Sequence, residues 1–315
     1  MRSFITGIDG FIGSHLAEAL RDHGDTVSGL SRINVRDDPR VTVYRADLTD
    51  APAVRSALRE AAPDRIFHLA AQSSVSYSLA HPEETFAVNV HGSLHLFEAV
   101  RSTAPHATVL SVGSSAEYGA SGQGRDMIDE DTPLQPTSPY GASKASQGLL
   151  AGLYARAYGL RVIHVRPFAI IGPRKVGDAL SDFCRAVVQI EARKAQALEV
   201  GNLDVVRDFM DVRDCVSAFL LIAGRGTPGE TYNVCNAAGA SLQQILDYLH
   251  QLATKSFEVT QDPARQRPVD DHRLVGNNAK LRALGYERRY DLPSTVRVTL
   301  DSWRVREGTH QTVRP

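Results

Sequence analysis

The chain has 315 residues, 43% of them hydrophobic, and a formal net charge of −1. This length and apolar content suffice for one large core or two interlocked ones, and the balanced charge argues against nucleic acid or an anionic membrane as partner. No apolar run approaches a membrane span and the sequence opens on a strand without a leader pattern, so a cytoplasmic protein is expected.

Ser3 to Thr6 reads as a strand, followed by Gly7-Ile8-Asp9-Gly10-Phe11-Ile12-Gly13 and a helical pattern of Leu16, Ala17, Ala19 and Leu20. Glycines in such a turn let the backbone approach a pyrophosphate, and the helix N-terminus adds amide donors and a positive dipole end. Further strands are predicted at Thr26 to Leu30, Val41 to Arg45, Arg65 to Leu69, Thr108 to Val112 and Val162 to Val165. Alternating with helical stretches, they form βαβ units, and right-handed crossovers make the expected fold α/β, a doubly wound parallel sheet.

At the end of the second strand an acidic residue would bond the ribose 2′-hydroxyl of NAD. This chain has Leu30-Ser31-Arg32 there. A guanidinium suits a 2′-phosphate, so NADPH is preferred and NADH remains possible. His91, His95 and Glu98 lie at helical spacing, but no matching ligand set accompanies them and no metal is expected. Tyr140 and Lys144 are four residues apart, so one helix face carries a phenol and an ammonium. Neutral-pH acid/base work by a tyrosine calls for a lowered pKa, and a neighbouring cation pushes that way.

After Arg166-Pro167 the regularity breaks into a loop through Gly172-Pro173, a helix from about Asp178 to Lys194, and Gly201-Asn202-Leu203-Asp204. The expected organisation is interleaved. Residues 1–166 and 209–235 would form a dinucleotide-binding domain, and residues 167–208 and 236–315, with a helix from Leu242 to Leu252, a smaller discontinuous substrate domain. Cys184, Cys215 and Cys235 are too few and too widely spaced for a disulfide framework, so buried free thiols are expected.

The glycine turn, Ala46-Asp47-Leu48, His68-Leu69-Ala70-Ala71, Asn89, Ser114-Ser115 and Tyr140-x-x-x-Lys144 together resemble the extended short-chain dehydrogenase/reductase family, from Arg2 to about Trp303. The resemblance implies a catalytic set in which Tyr140 donates a proton, Lys144 holds the nicotinamide ribose and Ser114 bonds the reacting oxygen. It places Gly7, Gly10, Phe11, Ile12 and Gly13 at the cofactor, together with Ser31, Arg32, Asp47 and Leu48. Leu69, Ala70, Ala71, Asn89 and Pro167, with Tyr140 and Lys144 themselves, complete that list. In this family the helices beginning near Pro82 and Pro139 pack on their copies as a four-helix bundle, which implies a homodimer, with Gly148 and Gly152 permitting close approach.

Val200 to Asp204, Arg207 to Asp214 and Pro263 to Pro268 resemble the branch comprising GDP-mannose 4,6-dehydratases and GDP-4-dehydro-6-deoxy-D-mannose reductases. The resemblance implies substrate contacts from Ser73, Ser115, Ala116, Ala169, Asn202, Arg207 and Arg267, the two arginines clamping a diphosphate. Dehydratases carry a carboxylate three residues before Gly119, where this chain has Ala116. Glu117 follows one residue later, where strand alternation would turn it to the other face. The resemblance therefore implies reduction of a GDP-linked (or other nucleotide-linked) keto-deoxyhexose, GDP-4-dehydro-6-deoxy-D-mannose to GDP-D-rhamnose or its C4 epimer. A dehydratase, an epimerase with retained NAD and a nucleotide sensor without turnover are the alternatives. Where the family has Asn-His after Arg166-Pro167-Phe168, this chain has Ala169-Ile170; Arg174, Lys175 or Arg207 could offset the lost amide.

Overall fold

The computed structural model describes residues 1–33, 38–262 and 273–308. Seven strands form a parallel sheet: β1 (Arg2–Thr6), β2 (Thr26–Ser31), β3 (Val41–Arg45), β4 (Arg65–His68), β5 (Thr108–Val112), β6 (Arg161–Pro167) and β10 (Thr231–Val234), in the order β10-β6-β5-β4-β1-β2-β3. Strand order reverses between β1 and β4, which opens a crevice at their carboxyl ends. The glycine turn leaves β1 there, and Leu69-Ala70-Ala71 leaves β4 beside it.

Both faces of the sheet are covered, and the pleat sorts its side chains. Phe4, Ile66, Val109 and Val162 pack towards α2 (Ala51–Ala61), α5 (Gly92–Thr103) and α6 (Pro139–Tyr158). Their neighbours Ile5, Phe67, Leu110 and Ile163 pack towards α1 (Phe11–Asp22) and α8 (Val212–Arg225). This is the period of two expected of strands buried on both sides, and it explains their near-continuous apolar runs.

His68 lies in the floor of this layer, where burial pushes its pKa down to about 3. Its ring joins Thr6 Oγ1 (2.9 Å) to Ser93 Oγ (2.8 Å), and Thr6 Oγ1 also accepts from the Ala70 amide (3.0 Å). The last turn of β4 is thereby tied to β1.

From β4 to β5, α3 (Val75–Ala80), α4 (Pro82–Phe86), a π-helical turn (Ala87–His91) and α5 carry the chain across. The helix expected from Pro82 is therefore interrupted at Asn89, an inserted residue of the kind often found near functional sites. α6 starts on Ser138, whose Oγ accepts from the Gly141 amide (3.1 Å), with Pro139 in its first turn; it ends on Gly159 at φ 66°. Both ends follow ordinary capping chemistry.

A second sheet joins β7 (Ala169–Ile171), β9 (Val206–Asp211), β11 (Gly239–Ser241) and β13 (Arg273–Leu274), and β8 (Ala197–Val200) pairs with β12 (Glu258–Gln261). α7 (Ala179–Glu191), α9 (Leu242–Leu252) and α11 (Leu292–Arg306) enclose its core around Phe183, Leu246 and Trp303, while α10 (Ala279–Ala283) contributes Leu281 to the first layer. Phe209 to Asp211 belong to this second sheet, pairing with Ala169 to Ile171. The chain thus re-enters the large sheet's layer with α8 instead of at Phe209.

All three cysteines are free and buried. Among the described residues no helix is long and apolar enough to cross a membrane.

Candidate active site

A cleft of about 720 Å³ runs along the carboxyl ends of β1 and β4. Gly7, Gly10, Phe11, Ile12 and Gly13 line one end. α1 begins with no side-chain cap and no acidic residue in its first turn, which suits an anion at its N-terminus. A Cβ on Gly13 would stand 2.2 Å from the Gly7 carbonyl oxygen, so only glycine lets the turn close this tightly. These features fit a dinucleotide pyrophosphate.

Ser31, Arg32, Asp47 and Leu48 line the cleft beyond the turn, and Leu69, Ala70, Ala71 and Ser73 form the β4 side. Ser31 is buried and its Oγ is held by the Ile33 backbone (3.1 and 3.2 Å). Arg32 is exposed and stands 3.8 Å from Asp47, a loose pair that leaves the guanidinium accessible. Asp47 accepts from the Thr49 amide (2.8 Å) and hydroxyl (2.7 Å); burial alone would raise its pKa, but these bonds and Arg32 hold it below the usual carboxylate range.

Ser114, Tyr140 and Lys144 meet at the other end, with Pro167 beside them. Ser114 begins a 3-10 turn (Ser115–Glu117) at the end of β5, and its Oγ accepts from the Ala116 amide (3.1 Å). The phenol of Tyr140 shares a hydrogen bond with Ser114. Lys144 is buried; its Nζ donates to the Val112 carbonyl (2.8 Å) and to Gln147 Oε1 (2.9 Å). An ammonium has three donors, so one remains for a ligand. Burial lowers the Lys144 pKa to about 8, against the pull of Glu117.

The tyrosine departs from the sequence reading. Burial raises its pKa, with the Ser114 bond opposing, and Lys144 does not depress it, because the ammonium is turned towards Val112 and Gln147. The phenol is thus kept protonated at neutral pH, the form a proton donor needs.

Several expected contacts lie elsewhere. Asn89 is buried behind the cleft wall: its Nδ2 donates to the Gln72 carbonyl (2.9 Å) and Ser143 Oγ (2.9 Å), and its Oδ1 accepts from the Gln72 amide (2.8 Å). It positions the β4 exit and α6 instead of lining the cleft. Ser115, Ala116, Ala169, Asn202 and Arg207 also stand outside the cleft wall. On β7 it is Ile170 that faces the cleft, as alternation requires when Ala169 does not. Arg207 lies in β9, its Nη1 donating to the Val206 carbonyl (2.9 Å), and Arg267 falls outside the described residues. Gly148 is occupied from within, since a Cβ there would meet His164 Nε2 at 2.8 Å; it serves packing inside the chain.

Glu117 is turned away, though not by strand alternation. The 3-10 turn makes it part of a capping box, and its fully buried carboxylate accepts from Arg166 Nε (2.8 Å), His164 Nε2 (3.0 Å) and the Ser114 amide (2.9 Å). Burial alone would raise its pKa, but His164 and Arg166 hold it below the usual carboxylate range.

Sequence reasoning passed over Gln72, which lines the cleft with a buried Oε1 that has no hydrogen-bond partner among the described residues. It follows Ala71 directly, and that adjacency was the available signal. Arg174 and Lys175 also reach the cleft. Arg174, at φ 74°, is held to α1 by Glu18 (2.8 Å), and Lys175 by Asp178 (3.1 Å).

The family profile described as GDP-mannose 4,6 dehydratase matches residues 4–299. The GDP-6-deoxy-D-mannose reductase of Pseudomonas aeruginosa is 31% identical over 311 residues, covering 97% of this chain and 99% of that one. The solved structure of RMD from P. aeruginosa complexed with NADPH superposes with a TM-score of 0.84 at 28% identity, over 97% of this chain and all (100%) of that one. The Thermus thermophilus UDP-glucose 4-epimerase in complex with NAD superposes with a TM-score of 0.87 at 30% identity, over 96% and 99% of the two chains. With the glycine turn at the sheet's reversal point and Ser114, Tyr140 and Lys144 converging beside it, these matches show that the chain belongs to the GDP-mannose 4,6 dehydratase family, enzymes of the extended short-chain dehydrogenase/reductase class.

Proposed function

We propose that this protein reduces the 4-keto group of a nucleotide-linked 6-deoxyhexose, GDP-4-dehydro-6-deoxy-D-mannose to GDP-D-rhamnose or its C4 epimer, using NADPH in preference to NADH. One observation carries the reading. Among the described residues, Ser114, Tyr140 and Lys144 stand at the cleft without a carboxylate partner, because Ala116 offers none and Glu117 is spent on Arg166 and His164. Expelling water from the sugar needs an acid/base residue to move the ring protons; reducing a ketone does not. The resemblance to the P. aeruginosa reductase over nearly the whole of both chains supports the same choice.

The glycine turn and Lys144 would hold a nicotinamide cofactor in the cleft, which would supply the hydride for C4. The protein's part is to manage the oxygen. Ser114 donates to the carbonyl and polarises it, and Tyr140 passes its phenolic proton to the oxygen as charge develops. Lys144 would hold the nicotinamide ribose with the donor that Val112 and Gln147 leave over. Its charge is needed, and it is present below about pH 8. Turnover is therefore expected to fall as pH rises through that value, because the group loses its proton there; the alkaline limb of a kcat profile measures it.

The decisive assay mixes the protein with GDP-4-dehydro-6-deoxy-D-mannose and NADPH and follows loss of reduced nicotinamide. Stoichiometric oxidation with appearance of the alcohol supports the reading, whereas no turnover of this ketone while other nucleotide ketosugars react would sink the GDP assignment. An epimerase is the second reading, favoured by Ala169 in place of the amide and by the likeness to the T. thermophilus enzyme solved with NAD. It predicts NAD retained through purification and no net redox change.

Arg32 is the residue on which cofactor choice rests. Arg32→Ala is expected to raise KM for NADPH while leaving KM for NADH nearly unchanged, since only the former has a phosphate for the guanidinium to meet. Steady-state titration of both cofactors checks it.

The protein is also proposed to be a homodimer. Leu149 and Leu153 on α6 are 70% and 46% exposed and four residues apart, an apolar stripe that a second copy's helices would cover. Light scattering should give twice the chain mass, and Leu149→Glu with Leu153→Glu should halve it.

A further inference from the structure

Behind the cleft runs a buried polar chain that the proposed reaction does not use directly. Lys144 Nζ donates to Gln147 Oε1 (2.9 Å), and Gln147 Nε2 donates to Ser111 Oγ (3.0 Å). Ser111 Oγ stands 3.4 Å from His164 Nδ1, and His164 Nε2 stands 3.0 Å from Glu117 Oε1. Glu117 Oε1 in turn accepts from the Ser114 amide (2.9 Å), and Arg166 Nε closes the cluster on Oε2 (2.8 Å). Every link is satisfied in one sense when the imidazole carries its proton on Nε2. All five side chains from Lys144 to Glu117 are buried.

The backbone makes room for this chain at two glycines. A Cβ on Gly113 would lie 2.0 Å from Glu117 Oε1 and 2.5 Å from His164 Nε2, and one on Gly148 would lie 2.8 Å from His164 Nε2. Neither glycine has a positive φ, so neither is required by its turn. They accommodate the polar chain.

We propose that Glu117 is a positioning residue for the reductase site: through His164, Ser111 and Gln147 it ties the backbone of Ser114 to the ammonium of Lys144. The proposal rests on the reductase reading for its role in turnover, but the linkage itself does not. Two consequences follow from the geometry. The carboxylate anchors the 3-10 turn that aims Ser114 at Tyr140, and its charge favours the protonated form of Lys144, opposing burial. Among the described residues, the other titratable or charged groups facing these two are His164 and Arg166 from β6 and Tyr118 beside Glu117, with Tyr140 on α6 and His68 from β4 around Lys144.

The chain contains five lysines, so Lys144 can be followed in isotope-labelled lysine spectra, assigned with Lys144→Met. In Glu117→Gln the Lys144 midpoint is expected to move below that of the parent protein, with kcat reduced about 10- to 100-fold and cofactor affinity unchanged. Glu117→Gln leaves Arg166 without its anionic partner and can weaken folding. His164→Leu therefore gives an independent arm: it keeps the Glu117 to Arg166 pair and should also lower the Lys144 midpoint and kcat, while His164→Gln, which can still donate to Glu117 and accept from Ser111, should restore both. A Lys144 midpoint unchanged in folded His164→Leu or Glu117→Gln overturns the proposal. The midpoint is read without substrate, so failure of the reductase reading would appear separately, as an altered midpoint in a protein that turns over no ketosugar.

Discussion

Tyr140→Phe is expected to lower kcat by about 10²- to 10⁴-fold, the usual contribution of a positioned acid. KM for the sugar nucleotide and affinity for the cofactor should stay close to those of the parent, because the ring and its place on α6 are kept. The amide of Tyr140 accounts for that place, donating to Ser78 Oγ (3.1 Å), and Ser138 caps the helix two residues earlier. The hydroxyl alone is removed, and with it the proton that the oxygen at C4 must receive. Stopped-flow measurement of reduced nicotinamide separates this chemical step from binding. Retention of most of the parent's activity would remove Tyr140 from the proton-donor role and leave Ser114 as the alternative.

Gly13→Ala should do comparable damage for a different reason. The added Cβ would meet the Gly7 carbonyl oxygen at 2.2 Å, and that neighbour is backbone at the start of the turn, which cannot rotate away. Overpacking of this kind costs about 1–3 kcal/mol. Relief by opening the turn would draw the first amides of α1 away from the pyrophosphate, so cofactor binding is expected to be lost in a direct fluorescence titration. Gly224→Ala is the matched control. It lies exposed in α8 with nothing within 4 Å of its Cβ, and it should be neutral or stabilise by up to about 1 kcal/mol in thermal unfolding. Equal behaviour of the two variants would show that the tight turn does not shape the cofactor site.

The features legible in the sequence are those whose physics is local. Strand alternation at Phe4 and Ile5 or Val109 and Leu110 reports two buried faces, and the observed sheet has them. The glycine turn and the spacing of Tyr140 and Lys144 are short-range geometry, and the structure brings both to one cleft. β10, the seventh strand, was not among the predicted strands: Thr231 to Val234 is a short run that becomes a strand by pairing with β6.

What depended on distant neighbours could not be read the same way. Asn89 was expected at the cofactor because of where it falls in the chain, but its amide is consumed by Gln72 and Ser143, the latter 54 residues away. Gly148 was assigned to a subunit interface as a small helical residue, yet the space it leaves is filled by His164.

Glu117 is the clearest case. By itself the sequence determined that no carboxylate occupies position 116 and that one follows at 117, which is enough to weaken a dehydratase. Only the tertiary structure decided where that carboxylate goes, because its partners His164 and Arg166 stand 47 and 49 residues further along, on the strand next to β5. A buried charge takes its role from whatever the fold brings against it, and that pairing leaves no periodic trace in the chain.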